Sequence, residues 1–174
     1  MFRTRRIVVA LATVALVTTG TGATATPANE SPARNRPVPE AIKVPPGNKK
    51  IATMSARGVQ TYQCAAGAWT FLQPDAILDD RGRSRVLHSR GPVWTSVEDG
   101  SSVTAAAVAN SPVDGAIPQL LLQATANRAP GVFGTVTYIQ RLNTRGGLSP
   151  TGACTDGTTT SVRYTADYTF WVAG

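Results

Sequence analysis

VRYTADYTFWV, residues 162–172, sorts its side chains by parity. Val162, Tyr164, Ala166, Tyr168, Phe170 and Val172 fall on one side, and Arg163, Thr165, Asp167, Thr169 and Trp171 on the other. Period two places the two sets on opposite faces of a β-strand. The first set is therefore expected to line a core, with Asp167 on the polar face or facing a cleft.

The same reading extends upstream. Long helical periodicity is nearly absent, while Thr, Val and aromatic residues recur between Gly, Pro, Asn and Asp turns, the mark of an all-β chain. Strands are expected at 49–56, ended by Arg57-Gly58, then at 59–64 and 68–72, with Pro74 breaking the last run. Further strands are expected at 84–88, 93–97, 102–109 and 134–142. Turns are expected at Ala65-Ala66-Gly67, Asp79-Asp80-Arg81-Gly82, Gly91-Pro92 and Asp99-Gly100. Residues 117–126, IPQLLLQATA, read either as a short helix, for which Pro118 suits the first turn, or as a buried strand. No internal repeat is present. The expected fold is a single all-β domain, an antiparallel β-sandwich or barrel-like structure with one disulfide and at most a short helix.

The N-terminus reads differently. MFRTRR precedes the apolar run Ile7–Val17, which is eleven residues long where a membrane span needs about 20. Small residues ending in Ala23-Thr24-Ala25 complete a secretory signal peptide over residues 1–25. Thr4-Arg5-Arg6 leaves Sec and twin-arginine export both open. Residues 26–40 are rich in Pro and Ala, lack a hydrophobic period and are expected to be a flexible linker. The all-β domain is then residues 41–174, of ordinary size for one core. The expected location is secreted or extracellular, with no transmembrane segment after cleavage.

The formal net charge of +7 overstates the basicity of a processed chain. Of 17 basic residues Arg3, Arg5 and Arg6 lie in the leader, which leaves 14 against 10 acidic ones, a net +4. The one cluster, Arg81, Arg83, Arg85 and Arg90, has no interleaved aromatic platform, so nucleic acid is not expected as a partner. Cys64 and Cys154 are expected to form a disulfide in an oxidising compartment. Two cysteines and one histidine make no zinc site, and Glu98-Asp99-Gly100-Ser101 lacks the spacing of a calcium loop. Neither metal nor cofactor is expected.

Six strings together resemble one family, the domain of unknown function 3455, found in exported bacterial and fungal proteins. They are GVQTYQC (58–64), LHSRGPVW (87–94), EDGSSV (98–103), IPQLLL (117–122), IQRLNTRGG (139–147) and YTADYTFW (164–171). IPQLLL departs mildly, with Gln119 where a bulky aromatic is expected. The resemblance spans essentially the whole domain and implies an exported protein without an established activity. Some relatives carry a malate dehydrogenase label. No Gly-rich dinucleotide loop between a strand and a helix supports it here.

Functional side chains are densest in residues 82–104, which hold the only histidine, His88, with Trp94 and the acidic turn at Asp99. A catalytic triad has His88 as its only histidine base, Asp99 or Asp167 as orienting acid, and Ser89 or Ser101 as nucleophile, but no G-x-S-x-G elbow is present. An Asp99/Asp167 pair serves glycoside hydrolysis only if the fold sets the two carboxylates about 5–9.5 Å apart. The structural alternatives are a hydrogen-bonding His88 and a buried Arg141–Asp167 ion pair. Of the three tryptophans, Trp94 and Trp171 are better placed than Trp69 to be exposed and stack on a sugar, with core packing or a strand-end cap as the usual alternative for a large aromatic, and Trp69 is expected in the core.

These readings lean away from an enzyme. They favour an extracellular or cell-envelope binding module for a glycan or small ligand, with His88, Trp94, Asp99, Arg141, Asp167 and Trp171 as contact candidates. The alternatives are a secreted hydrolase using His88 and/or an Asp99/Asp167 pair, and a structural surface protein.

Overall fold

The structure, a computed structural model, describes residues 37–174. The leader expected at 1–25 and residues 26–36 of the linker lie outside the described residues. Among the described residues no helix is long and apolar enough to cross a membrane.

Among the described residues a 3₁₀ turn at Glu40–Ile42 precedes eight strands: β1 (Asn48–Ala65), β2 (Ala68–Asp80), β3 (Arg83–Ser89), β4 (Val93–Ser96), β5 (Ser102–Val113), β6 (Ala116–Arg128), β7 (Val136–Gly146) and β8 (Thr159–Ala173). Each pairs antiparallel with its neighbours in sequence, and β1 pairs with β8, so the sheet closes into a barrel. Of the two all-β architectures left open by the sequence, the chain adopts the barrel.

Local chemistry accounts for the turns. Arg81 and Gly82 both take positive φ, +48° and +79°, as a two-residue hairpin turn compatible with strand twist requires. The expected break at Arg57-Gly58 is absent, because β1 runs through it without interruption. Gly58 pairs with Ala76 on one side and Tyr164 on the other. A Cβ there would lie 2.2 Å from the Asp75 carbonyl oxygen and 2.5 Å from Ala76 Cα. This glycine permits close backbone approach, the other use of glycine inside a strand. Pro74 does not end β2 either. It pairs with Gln60 of β1, while the pairing of β2 with β3 begins only at Ala76. At Pro74 the far side of β2 is an edge, where a missing N–H leaves no ladder bond unmade. Residues 117–126 are strand, not helix, held by β5 on one side and β7 on the other.

The alternation of residues 162–172 is realised directly. Tyr164, Ala166, Tyr168, Phe170 and Val172 are buried inside the ring. The interior is filled unevenly. At the end that carries the β2–β3, β4–β5 and β6–β7 connections, Leu78, Val86, Val103, Ile139 and Phe170 pack around Phe133, which is fully buried. Phe133 comes from the β6–β7 loop and stacks at a tilt on Phe170, ring centroids 4.7 Å apart.

Outside the ring, the 3₁₀ turn buries Ile42, whose carbonyl accepts from Gln140 Nε2 at 2.7 Å. Cys64 and Cys154 form the expected disulfide. It fastens the long β7–β8 loop to the end of β1, where the Cys64 N–H also donates to the Thr158 carbonyl.

Phe133→Ala is expected to cost about 3–5 kcal/mol of unfolding free energy, because it hollows the packed end. Val108→Ala, at an exposed position on β5, is expected to change it by less than about 0.5 kcal/mol. Denaturant midpoints of the two variants test this pair.

Candidate functional site

The opposite half of the barrel is hollow. A cavity of about 410 Å³ lies there, lined from every part of the ring. β1 contributes Gln60 and Tyr62, and β2 contributes Phe71 and Pro74. β6 supplies Ile117, Pro118, Leu120 and Leu122, β7 supplies Arg141 and β8 supplies Tyr168. His88, Pro92, Trp94 and Ala107 complete the lining.

The opening follows from strand lengths. β3 and β4 form a short hairpin that turns back at Gly91-Pro92. Beyond that turn, residues 68–75 of β2 pair only with β1, and residues 106–113 of β5 pair only with β6. Two strand edges therefore face each other with no strand between them. Phe71 and Ala107, both exposed, stand on opposite sides of this gap, with Pro92 at its base. A bulge in β2 opposite Thr61 and Tyr62 restores Phe71 to the inner side, where its ring meets Tyr62 edge-on at 5.9 Å.

His88 and Trp94 are direct cross-strand partners, both pointing inward, with rings stacked 4.2 Å apart. Tyr168 meets each of them edge-on, at 5.3 Å and 5.6 Å. Trp94, a candidate for exposure, is 1% exposed, while Trp69, expected in the core, is only half-buried. The strand phase of β4 decides this, since a residue opposite an inward His88 must itself point inward.

The His88 ring donates from Nδ1 to the Val93 carbonyl at 3.0 Å. That bond leaves Nε2 as the acceptor nitrogen of a neutral imidazole. Burial pushes the His88 pKa down to about 4, against a partial opposing effect from the Val93 bond, and the Arg141 charge pushes it the same way as burial. Burial likewise raises the Tyr164 and Tyr168 phenols, and the Arg141 charge pulls both back. Near neutral pH these three side chains are uncharged.

Arg141 carries the formal charge of the lining. Its Nε and one terminal nitrogen both donate to the Pro118 carbonyl, at 3.1 and 2.9 Å. Arg141 takes part in none of the ion pairs among the described residues, which are Lys43–Glu40, Arg57–Asp79 and Arg85–Glu98. The Arg141–Asp167 ion pair, the structural alternative for these two residues, is not formed. Arg141 faces Tyr168 across the ladder, and Asp167 faces Leu142. Asp167 lies on the outer face and accepts from Ser55 Oγ and Asn143 Nδ2, each at 2.9 Å.

Two more donors on the wall have no partner. Trp94 Nε1 is buried and unbonded. The Gln60 amide approaches the Tyr164 hydroxyl, but its Nε2 completes no hydrogen bond.

Asp99 and Trp171 lie away from the cavity. Asp99 accepts from the Ser101 backbone and hydroxyl at 2.9 and 2.7 Å, and from the Val132 N–H at 2.9 Å. These bonds hold its carboxyl well below the usual carboxylate range, the Ser101 hydroxyl contributing most. Ser101 Oγ in turn accepts from the Phe133 N–H, so the acidic turn pins the loop that inserts Phe133. Trp171, half-buried on the outer wall, donates to Gln140 Oε1 at 3.0 Å. No hydrogen bond joins His88 to Asp99, Asp167, Ser89 or Ser101 among the described residues. Nor is any group of three or more His, Cys, Asp or Glu placed to hold a metal.

Of the candidates read from the sequence, the structure brings together His88, Trp94 and Arg141 and leaves Asp99, Asp167 and Trp171 outside. It adds Gln60, Tyr62 and Tyr168. Gln60 was open to detection, since it shares its parity in GVQTYQC with Tyr62 and Cys64, and a polar residue on an inward parity is a signal. The opening between β2 and β5 had no local signal.

This geometry defines a class, a closed antiparallel β-barrel with a ligand-sized interior cavity open through its side. Within that class, the chain belongs to the family described as protein of unknown function (DUF3455), which matches residues 81–172. No curated protein and no solved structure matches it.

His88 also sets a pH dependence. With a folded pKa near 4 against about 6.5 in the unfolded chain, the unfolded state binds the extra proton between those values. The stabilisation is complete above about pH 6.5 and is lost as pH falls to about 4, on the order of 3 kcal/mol. His88→Phe is expected to flatten this part of the curve, as measured by urea unfolding across that range.

Proposed function

We propose that this protein is an exported binding module that takes one small, largely apolar molecule into its barrel. The observation that carries this reading is the cavity of about 410 Å³, walled mainly by aromatic, aliphatic and proline side chains and open between β2 and β5. Small-molecule sites have this character: concave, largely apolar, a few hundred cubic ångströms, with a small number of placed polar groups. The leader motif at the N-terminus and the single disulfide both suit export to an oxidising compartment.

The lining favours an apolar ligand over a glycan. Burying a sugar leaves many hydroxyls in need of partners, and each unmet one costs free energy. This wall offers few polar groups beyond Gln60, His88, Arg141 and the tyrosine hydroxyls. A hydrolase reading has less support, because the His88 Nδ1 proton is held by a backbone carbonyl and no carboxylate orients the ring.

The apolar dye N-phenyl-1-naphthylamine is expected to bind the purified protein saturably at one site, with enhanced fluorescence. Ala107→Trp, which fills the mouth from an exposed position, is expected to weaken binding about ten-fold or more while leaving the unfolding midpoint nearly unchanged. A folded wild-type protein that shows no saturable dye binding would rule out the cavity as a binding site.

A further inference from the structure

Resting on that reading, we propose that the ligand is a small monocarboxylic acid, its carboxylate seated against Arg141 and its apolar body filling the rest of the cavity. Arg141 brings a permanent positive charge to a cavity lined chiefly by carbon, and among the described residues no carboxylate pairs with it. Its two bonds to the Pro118 carbonyl satisfy donors without neutralising charge. The guanidinium has five N–H groups, so donors remain for a further acceptor.

Asp75, exposed on β2, acts on the His88 ring as an opposing charge but makes no ion pair with Arg141. His88 and the two phenols, Tyr164 and Tyr168, are neutral near pH 7, and all three feel the Arg141 charge. A charge in such a setting is costly unless it is paired. A planar fork of N–H donors matches a carboxylate two bonds at a time.

A group that is all acceptor and no donor suits the N–H groups that Arg141 has left, and an ionised carboxylate is such a group. The count of charges restricts it further. One cation balances one negative charge, so a phosphate dianion would carry a second, unpaired charge into an apolar site. The remaining lining, from Phe71, Ile117, Leu120 and Leu122, accepts a hydrocarbon or aromatic body.

The test is competition against N-phenyl-1-naphthylamine at neutral pH, comparing decanoate with decan-1-ol, which share a chain and differ in the head group. In the wild-type protein, decanoate is expected to displace the dye at about ten-fold lower concentration than decanol, as a charge-assisted hydrogen bond supports. Arg141→Gln is expected to abolish the preference, so that decanoate and decanol displace the dye at similar concentrations. Equal displacement by the two compounds in the wild type would overturn the carboxylate assignment and leave apolar binding intact. So would a preference that survives Arg141→Gln. Failure of the dye itself to bind folded protein would overturn the cavity reading and this assignment with it. The wild-type comparison decides the matter even if the variant does not fold.

Discussion

The pairing of β1 with β8 holds the ends of the sheet together, from Asn48 opposite Ala173 to Gln63 opposite Thr159. Without it the meander would present two long edges, and open edges invite association with other chains. With it, every inward side chain shares one enclosed interior. The close approach at Gly58 belongs to this constraint, since β1 is paired there on both sides and there is no room for a Cβ against β2. The disulfide acts at the same seam, tying the loop before β8 to the end of β1.

An eight-stranded ring encloses a space that side chains can either fill or leave for one small ligand. This barrel does both. At one end, Phe133 enters from the β6–β7 loop and completes a packed core. The loop is held by Asp99 through Val132 and by Ser101 through Phe133. At the other end, the wall between β2 and β5 is missing beyond the short β3–β4 hairpin, and the interior is hollow. The packed end fixes the ring so that the hollow end keeps its shape, an arrangement suited to a preformed site.

Electrostatics distinguishes this cavity from an ordinary packing defect. A void left by imperfect packing is lined by carbon alone and stays dry. Here an arginine that makes no ion pair among the described residues stands in the wall. His88 contributes as a neutral ring. Stacked on Trp94 and bonded to Val93, it shapes the floor near Pro92 and adds no charge near neutral pH.

The all-β class, the hairpin at Arg81-Gly82, the inward face of β8 and the pairing of Cys64 with Cys154 were legible in the residues. Each is a local or compositional matter: period two, turn residues, an even cysteine count. Gly58 and Pro74 read as breaks in the sequence because glycine and proline carry the same signature at a turn, at a close contact and at an unpaired edge. Only the neighbouring strand distinguishes these. His88, Trp94 and Arg141 were recognisable as candidates by chemical type, yet so were Asp99, Asp167 and Trp171, which the fold directs to the loop bracket and the outer wall. The sequence by itself determined the all-β class, most of the turns and the inward face of β8, because these depend on residues a few positions apart. The tertiary structure alone decided that the sheet closes, that the short β3–β4 hairpin leaves a side opening, and that Arg141 stands within it unpaired. Those outcomes depend on contacts between strands distant in sequence, whose meeting no local pattern encodes.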